Sequence, residues 1–237
     1  MKIAQAGAFL TAKLEDAALP DQERNQLISI ANEELVEELA EMMDQAQNAA
    51  EPVVLFGVCP VSQDADDSIC VNGQRIDSRL VCEKLRGKNR CFPYIATCGE
   101  QLETWSKQYE DDFLLAFWAE EIKKLYLNRV MAAFYEYLKV HYHTAGHLAS
   151  LNPGSLEQWP IKGQEELFAI LGGPNFVKEQ TGVVCTDSFL MLPIKSISGI
   201  CFEGDAFYEN CQHCPLTDCP NRRAPRIAEE NAGWITH

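Results

Sequence analysis

The chain has 237 residues, of which 46% are hydrophobic and 23% are charged, as in ordinary globular proteins. Thirty-five acidic and 20 basic residues give a formal net charge of −15, which opposes binding to nucleic acid phosphates and to anionic membrane surfaces. No apolar run approaches the roughly 18 residues that cross a bilayer. We therefore expect neither a nucleic acid nor a membrane as partner.

The opening residues and the cysteines indicate the compartment. The stretch MKIAQAGAFLTAKLEDA is interrupted by Gln5, and Glu15 and Asp16 come too soon for a secretion signal. We therefore expect a cytoplasmic protein. In that compartment the ten cysteines are thiols or metal ligands rather than a disulfide framework.

Residues 1–50 are predicted to form an N-terminal helical segment. After Pro20, Asp21 can cap a helix whose apolar residues recur every three or four positions as far as Met42. Pro52 ends this segment.

Residues 51–203 are predicted to form the main domain. VVLFGV at 53–58 and YIAT at 94–97 have the length and apolar character of strands. From 101 to 142 the apolar residues follow a helical period, with a break near Lys107.

The second half of this domain is predicted to begin with a loop at 147–163, because HLASLNPGSLEQWPIKG is rich in Pro, Gly, Ser and Asn. A short helix, QEELFAIL at 164–171, follows it. VVCTDSFLMLP at 183–193 and ISGICF at 197–202 are predicted strands.

Residues 204–237 are predicted to form a cysteine-rich tail. Cys211 and Cys214 form the CxxC element of zinc and iron–sulfur sites, and Cys219 is a third candidate ligand. Cys201 is the nearest candidate for a fourth, since His213 lies between two ligands. The spacing does not choose between zinc, an iron–sulfur cluster and unligated thiols.

Three segments, in this order, carry a resemblance to a known family: IATCGEQLETWSKQYEDDF (95–113), the NPG loop (152–154) and TGVVCTDSFLMLPIKSISGICF (181–202). The chain resembles the activation domain, also called the reactivation domain, of cobalamin-dependent methionine synthase. It resembles more closely the short stand-alone relatives that end in a cysteine-rich segment. The similarity runs from about residue 52 to residue 203.

The resemblance implies an α+β fold, a twisted antiparallel sheet with flanking helices. It also implies binding of S-adenosylmethionine and help in reactivating the oxidised corrinoid of a partner, which is a corrinoid protein or corrinoid methyltransferase. The implied groove runs along residues 150–160 and 193–198. Its expected cofactor-binding residues are Asn152, Pro153, Gly154, Ser155, Lys195, Ser196 and Ser198.

This chain departs from the family pattern at three ligand positions. The family has an arginine and a tyrosine where Ser150 and Ser155 stand here, and the family's helix carboxylate aligns with Ala132. An arginine that pairs with the methionine carboxylate is not replaced by a hydroxyl without loss of affinity. These residues favour an alternative, a non-catalytic corrinoid- or protein-binding module with a metal-stabilised tail.

The metal decides what the tail could contribute. An iron–sulfur cluster near a corrinoid could relay the low-potential electron that reduces Co(II), whereas zinc could only hold the tail together. Arg222, Arg223 and Arg226 could dock negative groups of the corrinoid or its carrier, or they could pair with the chain's own carboxylates.

Overall fold

The computed structural model describes residues 1–142, 147–155, 158–204 and 208–212, and in the tail residues 214, 216, 218, 219, 222 and 224–226. The strands of this part are β1 (Lys2–Ala6), β2 (Phe9–Lys13), β3 (Val53–Phe56), β4 (Cys59–Ala65), β5 (Ser68–Val71), β6 (Gln74–Ile76), β7 (Arg90–Thr97), β8 (His147–Leu151), β9 (Val184–Cys185), β10 (Met191–Leu192) and β11 (Ser196–Gly204). The helices are α1 (Asp21–Ile30), α2 (Val36–Ala49), α3 (Arg79–Leu85), α4 (Glu100–Ser106), α5 (Phe113–Tyr142), α6 (Gln164–Ile170) and α7 (Pro174–Thr181).

One antiparallel sheet organises the described chain, with β7 at its centre. β7 pairs with β3 and β4 along one edge and with β11 along the other. The order β1–β2–β3–β7–β11–β8 is extended beside the start of β7 by β4, β5 and β6, and β9 pairs with β10 in a separate small sheet. The antiparallel sheet and its helices confirm the predicted α+β class.

The first 13 residues form a hairpin that the helical prediction for residues 1–50 misses. β1 pairs with β2, and β2 pairs with β3 of the main sheet. The segment has four Ala and two Lys residues, which are weak strand formers, so its pattern gives little sign of a strand. The helix predicted from Asp21 is present but is divided into α1 and α2 by a 3-10 turn at Glu33–Leu35.

The loop predicted for residues 147–163 begins with a strand. β8 pairs with β11 in register, with Leu151 opposite Ile200 and His147 opposite Gly204. Its apolar residues Ala149 and Leu151 are buried. The predicted loop is wrong over these five residues, because the Pro-Gly turn signal at 153–154 lies directly beside HLASL, whose own alternation fits a strand.

The two faces of the sheet are covered by different helices. The second half of α5 packs on one face, where Phe134 contacts Phe56 and Tyr94 with ring centroids 5.0 and 5.3 Å apart. Aromatic pairs of this geometry contribute about 0.5–1.5 kcal/mol beyond their buried area. Helices α3, α6 and α7 cover the other face, and the first half of α5 packs against α2 and α4.

The break predicted near Lys107 is present. α4 ends at Ser106, a 3-10 turn covers Lys107–Tyr109, and α5 starts after Asp112. The carboxylate of Asp112 accepts hydrogen bonds from the N–H groups of Leu114 and Leu115, at 2.9 and 3.0 Å, and so caps the helix. This cap sets the start of the 30-residue helix.

Candidate functional site

The predicted NPG loop is a tight turn directly after β8. The N–H of Ser155 donates to the carbonyl of Asn152 at 3.1 Å, with Pro153 and Gly154 at the two central positions. Gly154 has φ of +81°, which the third position of a type II turn requires. The turn begins at Asn152, which follows the last residue of β8.

Asn152 joins three parts of the fold. Its amide nitrogen donates to the carbonyl of Ser198 at 2.7 Å and to the hydroxyl of Tyr94 at 3.0 Å. Its amide oxygen accepts from the amide of Asn210 at 2.8 Å, and Ser150 lies 2.9 Å from the Tyr94 hydroxyl. The NPG loop is therefore joined by hydrogen bonds to the sheet and to the start of the cysteine-rich segment.

A cleft of about 250 Å³ lies beside this network, between α5 and β8. Tyr208 and Glu209, which follow β11 in the chain, form a further part of its wall. The cleft is lined by Tyr135, Lys139, His147, Leu148, Ala149, Ser150, Tyr208 and Glu209.

The lining offers several kinds of polar group. Lys139 lies 3.8 Å from the carboxylate of Glu136, one turn away on the exposed side of α5. Burial raises the pKa of Tyr135 far above its usual range, so this side chain stays a neutral phenol. The cleft thus presents a cation from Lys139, a carboxylate from Glu209 and neutral hydroxyls, a set suited to a small ligand that carries both charges.

None of the residues predicted to line the groove from 193 to 198 lines this cleft. Lys195 forms an ion pair with Glu120 at 3.0 Å, at the opposite end of β11. Ser196 donates to the carbonyl of Pro193 at 2.7 Å within its own turn. Ser198 is buried and donates to the side chain of Gln164 at 2.7 Å, so only its carbonyl contacts Asn152.

Lys195 belongs to a buried charge cluster that the sequence did not indicate. Lys123, which is 1% exposed, donates to Glu103 and Ser106 at 3.0 Å each and also contacts Glu120. Burial alone would lower the pKa of Lys123, but its hydrogen bonds to the two glutamates raise it. Burial likewise opposes the charge of Glu120, and its bonds to both lysines lower its pKa overall. The one sign of this cluster in the sequence is a lysine, Lys123, on the inner face of α5.

The four predicted metal ligands are not gathered in one place. Cys201 is fully buried in β11 within the apolar layer under α5, and this burial raises its pKa strongly. Cys211, Cys214 and Cys219 are partly exposed in the tail. Within the described ranges, no three His, Cys, Asp or Glu side chains are placed to hold a metal ion. For Cys201 to serve as the fourth ligand, β11 would have to leave the core.

Other residues missed from the sequence are those of the cleft itself. Tyr135 and Lys139 are one turn apart on α5, and His147 begins β8. These residues line the same cleft only once β8 has paired with β11 and α5 has crossed the sheet.

In the described ranges, none of the helices combines the length and the apolar character that a membrane span requires.

Comparison with known proteins gives a structural relative and no relative by sequence. No protein-family model and no curated protein matches the sequence. Among solved structures, the fold is similar to that of the MetH reactivation domain bound to AdoHcy, with a TM-score of 0.60 and 15% sequence identity. The match covers 87% of this chain and 82% of that domain. The two chains share a fold across most of their length.

Proposed function

We propose that the chain is a cytoplasmic accessory protein for the reductive reactivation of a corrinoid methyltransferase, and that the cleft between α5 and β8 binds S-adenosylmethionine. The observation that carries the proposal is the position of the cleft. Its walls are the long helix and the strand leading into the NPG loop, which are the two elements that the resemblance assigns to the cofactor. The solved domain of the same fold binds AdoHcy, the demethylated product of this cofactor.

The charges of the cleft match the ends of the methionine part of this ligand. Lys139 supplies a cation for its carboxylate on the helix side, in place of the arginine that the family carries at position 150. Glu209 supplies a carboxylate for the amino group or the sulfonium. Tyr135 and Tyr208 provide aromatic surface for adenine or for the sulfonium.

The volume of the cleft limits how the ligand can enter. Pockets that enclose a whole small molecule usually measure roughly 300–1,000 Å³. At about 250 Å³, the cleft is smaller than this range. We infer that the wall formed by Tyr208 and Glu209 moves outward when the complete cofactor binds.

The proposed reaction transfers one electron and one methyl group to the cobalt of the partner. Co(II) takes up one electron from a low-potential donor to give Co(I), which accepts the methyl group of S-adenosylmethionine and leaves S-adenosylhomocysteine. The role of this chain is to hold the methyl donor with its sulfonium directed towards the corrinoid of the partner.

Lys139→Gln is expected to weaken S-adenosylmethionine binding by about five- to thirty-fold, because a charge-assisted hydrogen bond contributes roughly 1–2 kcal/mol. Titration calorimetry of the full chain measures this. Lys124→Gln is the matched control, since Lys124 lies on the same helix and pairs with Glu121 at 3.0 Å. Equal affinity of the wild type and Lys139→Gln for S-adenosylmethionine would show that Lys139 does not contribute to the binding site.

One observation favours the second candidate, a binding module that does not use S-adenosylmethionine. Ser150 and Asn152 bond to Tyr94 and to each other, so their polar atoms already have partners inside the fold. If this arrangement serves only to join the loop to the tail, calorimetry will show no heat at millimolar S-adenosylmethionine or S-adenosylhomocysteine. That result would support the second candidate, the binding module, over the S-adenosylmethionine-binding protein.

A further inference from the structure

Large apolar side chains are exposed on two parts of the fold, the start of α5 and the segment around β10. Phe113 is 91% exposed and Phe117 is 48% exposed, although phenylalanine side chains are usually buried. We name the whole group the apolar patch; it consists of Phe113, Leu114, Phe117, Leu190, Leu192 and Ile194. Apolar residues exposed singly are normal on a protein surface, whereas a group of them marks an interaction site.

An ion pair joins the two halves of the apolar patch. Lys195, which directly follows Ile194, contacts the carboxylate of Glu120 at 3.0 Å. On α5, Phe113 lies one turn before Phe117 and Glu120 lies one turn after it, so these three side chains follow one face of the helix. The apolar residues on the two sides of the ion pair therefore belong to one surface.

Hydrogen bonds hold the backbone under both halves of the patch. The carboxylate of Asp112 accepts from the N–H of Leu114 at 2.9 Å and keeps the first turn of α5 helical. On the other side, Ser196 donates from its N–H to the carbonyl of Ile194 at 2.9 Å and from its hydroxyl to the carbonyl of Pro193 at 2.7 Å. A partner that binds here has little backbone to order, which favours its affinity.

The surroundings of the apolar patch are acidic. Residues 110–121 contain five carboxylates and no cation. The nearby cations Lys195 and Lys124 are each paired with a carboxylate of α5, at 3.0 Å in both cases. The chain as a whole has a formal net charge of −15. The patch therefore attracts cationic surfaces and repels anionic ones.

This charge decides which occupant fits the patch. Two copies of the chain would bring their acidic stretches together, and an anionic membrane surface would be repelled in the same way. A protein segment whose apolar side chains are flanked by Lys and Arg matches both the apolar residues and the carboxylates around them. A basic amphipathic helix has this pattern, with apolar residues three or four positions apart.

We propose that the apolar patch is a docking surface for a basic amphipathic segment of a partner protein. Lys195 and the patch lie at the start of β11, whereas the cleft lies beside the other end of this strand, where Gly204 pairs with His147. A segment bound to the patch thus leaves the cleft open. The inference goes beyond the proposed function and does not depend on it.

The test uses the full chain and a fluorescent peptide of Leu and Lys, about 18 residues long, whose leucines follow the helical period. Fluorescence anisotropy should show binding that weakens by at least about tenfold when Phe113→Ser and Phe117→Ser are combined, because buried aromatic anchors carry most of the energy of an interface. Ile30→Ser combined with Val58→Ser is the matched control, since it removes two exposed apolar residues outside the patch. It should change the affinity by less than about twofold.

The other half of the patch is tested by Leu192→Ser combined with Ile194→Ser, which should weaken peptide binding by about three- to tenfold. All the replaced side chains are exposed, so the far-ultraviolet circular dichroism should stay that of the wild type. Peptide binding that is unchanged in both patch variants overturns the docking surface. Equal binding of a counterpart peptide with Glu in place of Lys also overturns it.

Sedimentation of the chain alone and flotation with vesicles of anionic phospholipid test the other two occupants. A dimer that dissociates in the Phe113→Ser, Phe117→Ser variant, or vesicle binding that this variant loses, overturns the proposal. A monomer that binds the Lys peptide, with an affinity that falls as salt rises from about 50 to about 300 mM, supports it. Affinity for S-adenosylmethionine should be the same in this variant and the wild type, so the proposed function stands or fails separately.

Discussion

Replacing Lys123 with methionine is expected to lower the free energy of unfolding by about 2–3 kcal/mol, because it leaves two carboxylates without their shared cation. Breaking a fully buried ion pair costs roughly 3–5 kcal/mol, and the side chains of Glu103 and Glu120 are 25% and 40% exposed, which reduces the loss through solvent screening. Urea unfolding of the two proteins measures the difference.

Lys124→Met is the control for this prediction, since Lys124 follows Lys123 on the same helix and pairs with Glu121 with its side chain 36% exposed. It should cost less than about 0.5 kcal/mol. Equal stability of Lys123→Met and Lys124→Met would show that the cluster contributes nothing.

The same cluster predicts how stability depends on pH. The pKa of Glu120 is lowered from 4.5 in the folded chain, so its contribution is present above pH 4.5 and is lost as the pH falls through the folded value. The pKa of Lys123 is raised from 10.5, so its contribution is present below pH 10.5 and is lost as the pH rises through the folded value. Wild type and Lys123→Met should therefore differ most between these limits and converge outside them.

Gly199→Val is expected to have the second large effect, a loss of about 3 kcal/mol or more, and Gly199→Ala a loss of about 2 kcal/mol. A Cβ atom at Gly199 would lie 2.6 Å from the carbonyl oxygen of Leu151 and 2.6 Å from the amide nitrogen of Asn152. The carbonyl cannot rotate away, because it belongs to β8 beside β11. The two strands must separate to admit the methyl group.

Gly182→Ala separates this steric effect from the cost of replacing a glycine. Gly182 has φ of +76° at the end of α7, and a Cβ there would meet only Glu100 at ordinary contact distances, the nearest 3.6 Å away. About 1 kcal/mol of backbone strain is expected there. Thermal unfolding compares the two variants. A Gly199→Ala protein as stable as wild type, with an unchanged cleft, would contradict the strand contact.

The large elements could be predicted because their signals are local. The apolar run at 53–58, the helical period of 113–142 and the Pro-Gly turn at 153–154 each depend on neighbouring residues. The hairpin at residues 2–13 could not, since its weakly apolar segment becomes a strand pair only beside β3. Strand β8 has a local alternation, but the Pro-Gly turn signal that follows it directly favours a loop.

The sequence indicates the turn beside the cleft, whereas most of the residues that line the cleft carry no local signal. Asn152 was predicted because it stands beside a recognisable turn, and its amide oxygen lies 3.4 Å from the hydroxyl of Ser150, which lines the cleft. Lys195 was predicted to line the groove because of the residues beside it in the sequence. In the structure it lies at the other end of β11, where it forms an ion pair with Glu120 of α5. Tyr135 and Lys139 carry no motif, and only the crossing of α5 over the sheet brings them to β8.

The central claim is tested most directly by methyl transfer to a corrinoid. A corrinoid methyltransferase of the same organism, held in its Co(II) form under a low-potential reductant, is mixed with S-adenosylmethionine labelled in its methyl group, with and without this chain. The account predicts that the chain raises the rate of label transfer to cobalt by at least about tenfold and that Lys139→Gln reduces this gain. A rate of transfer that is the same with and without the chain would contradict it.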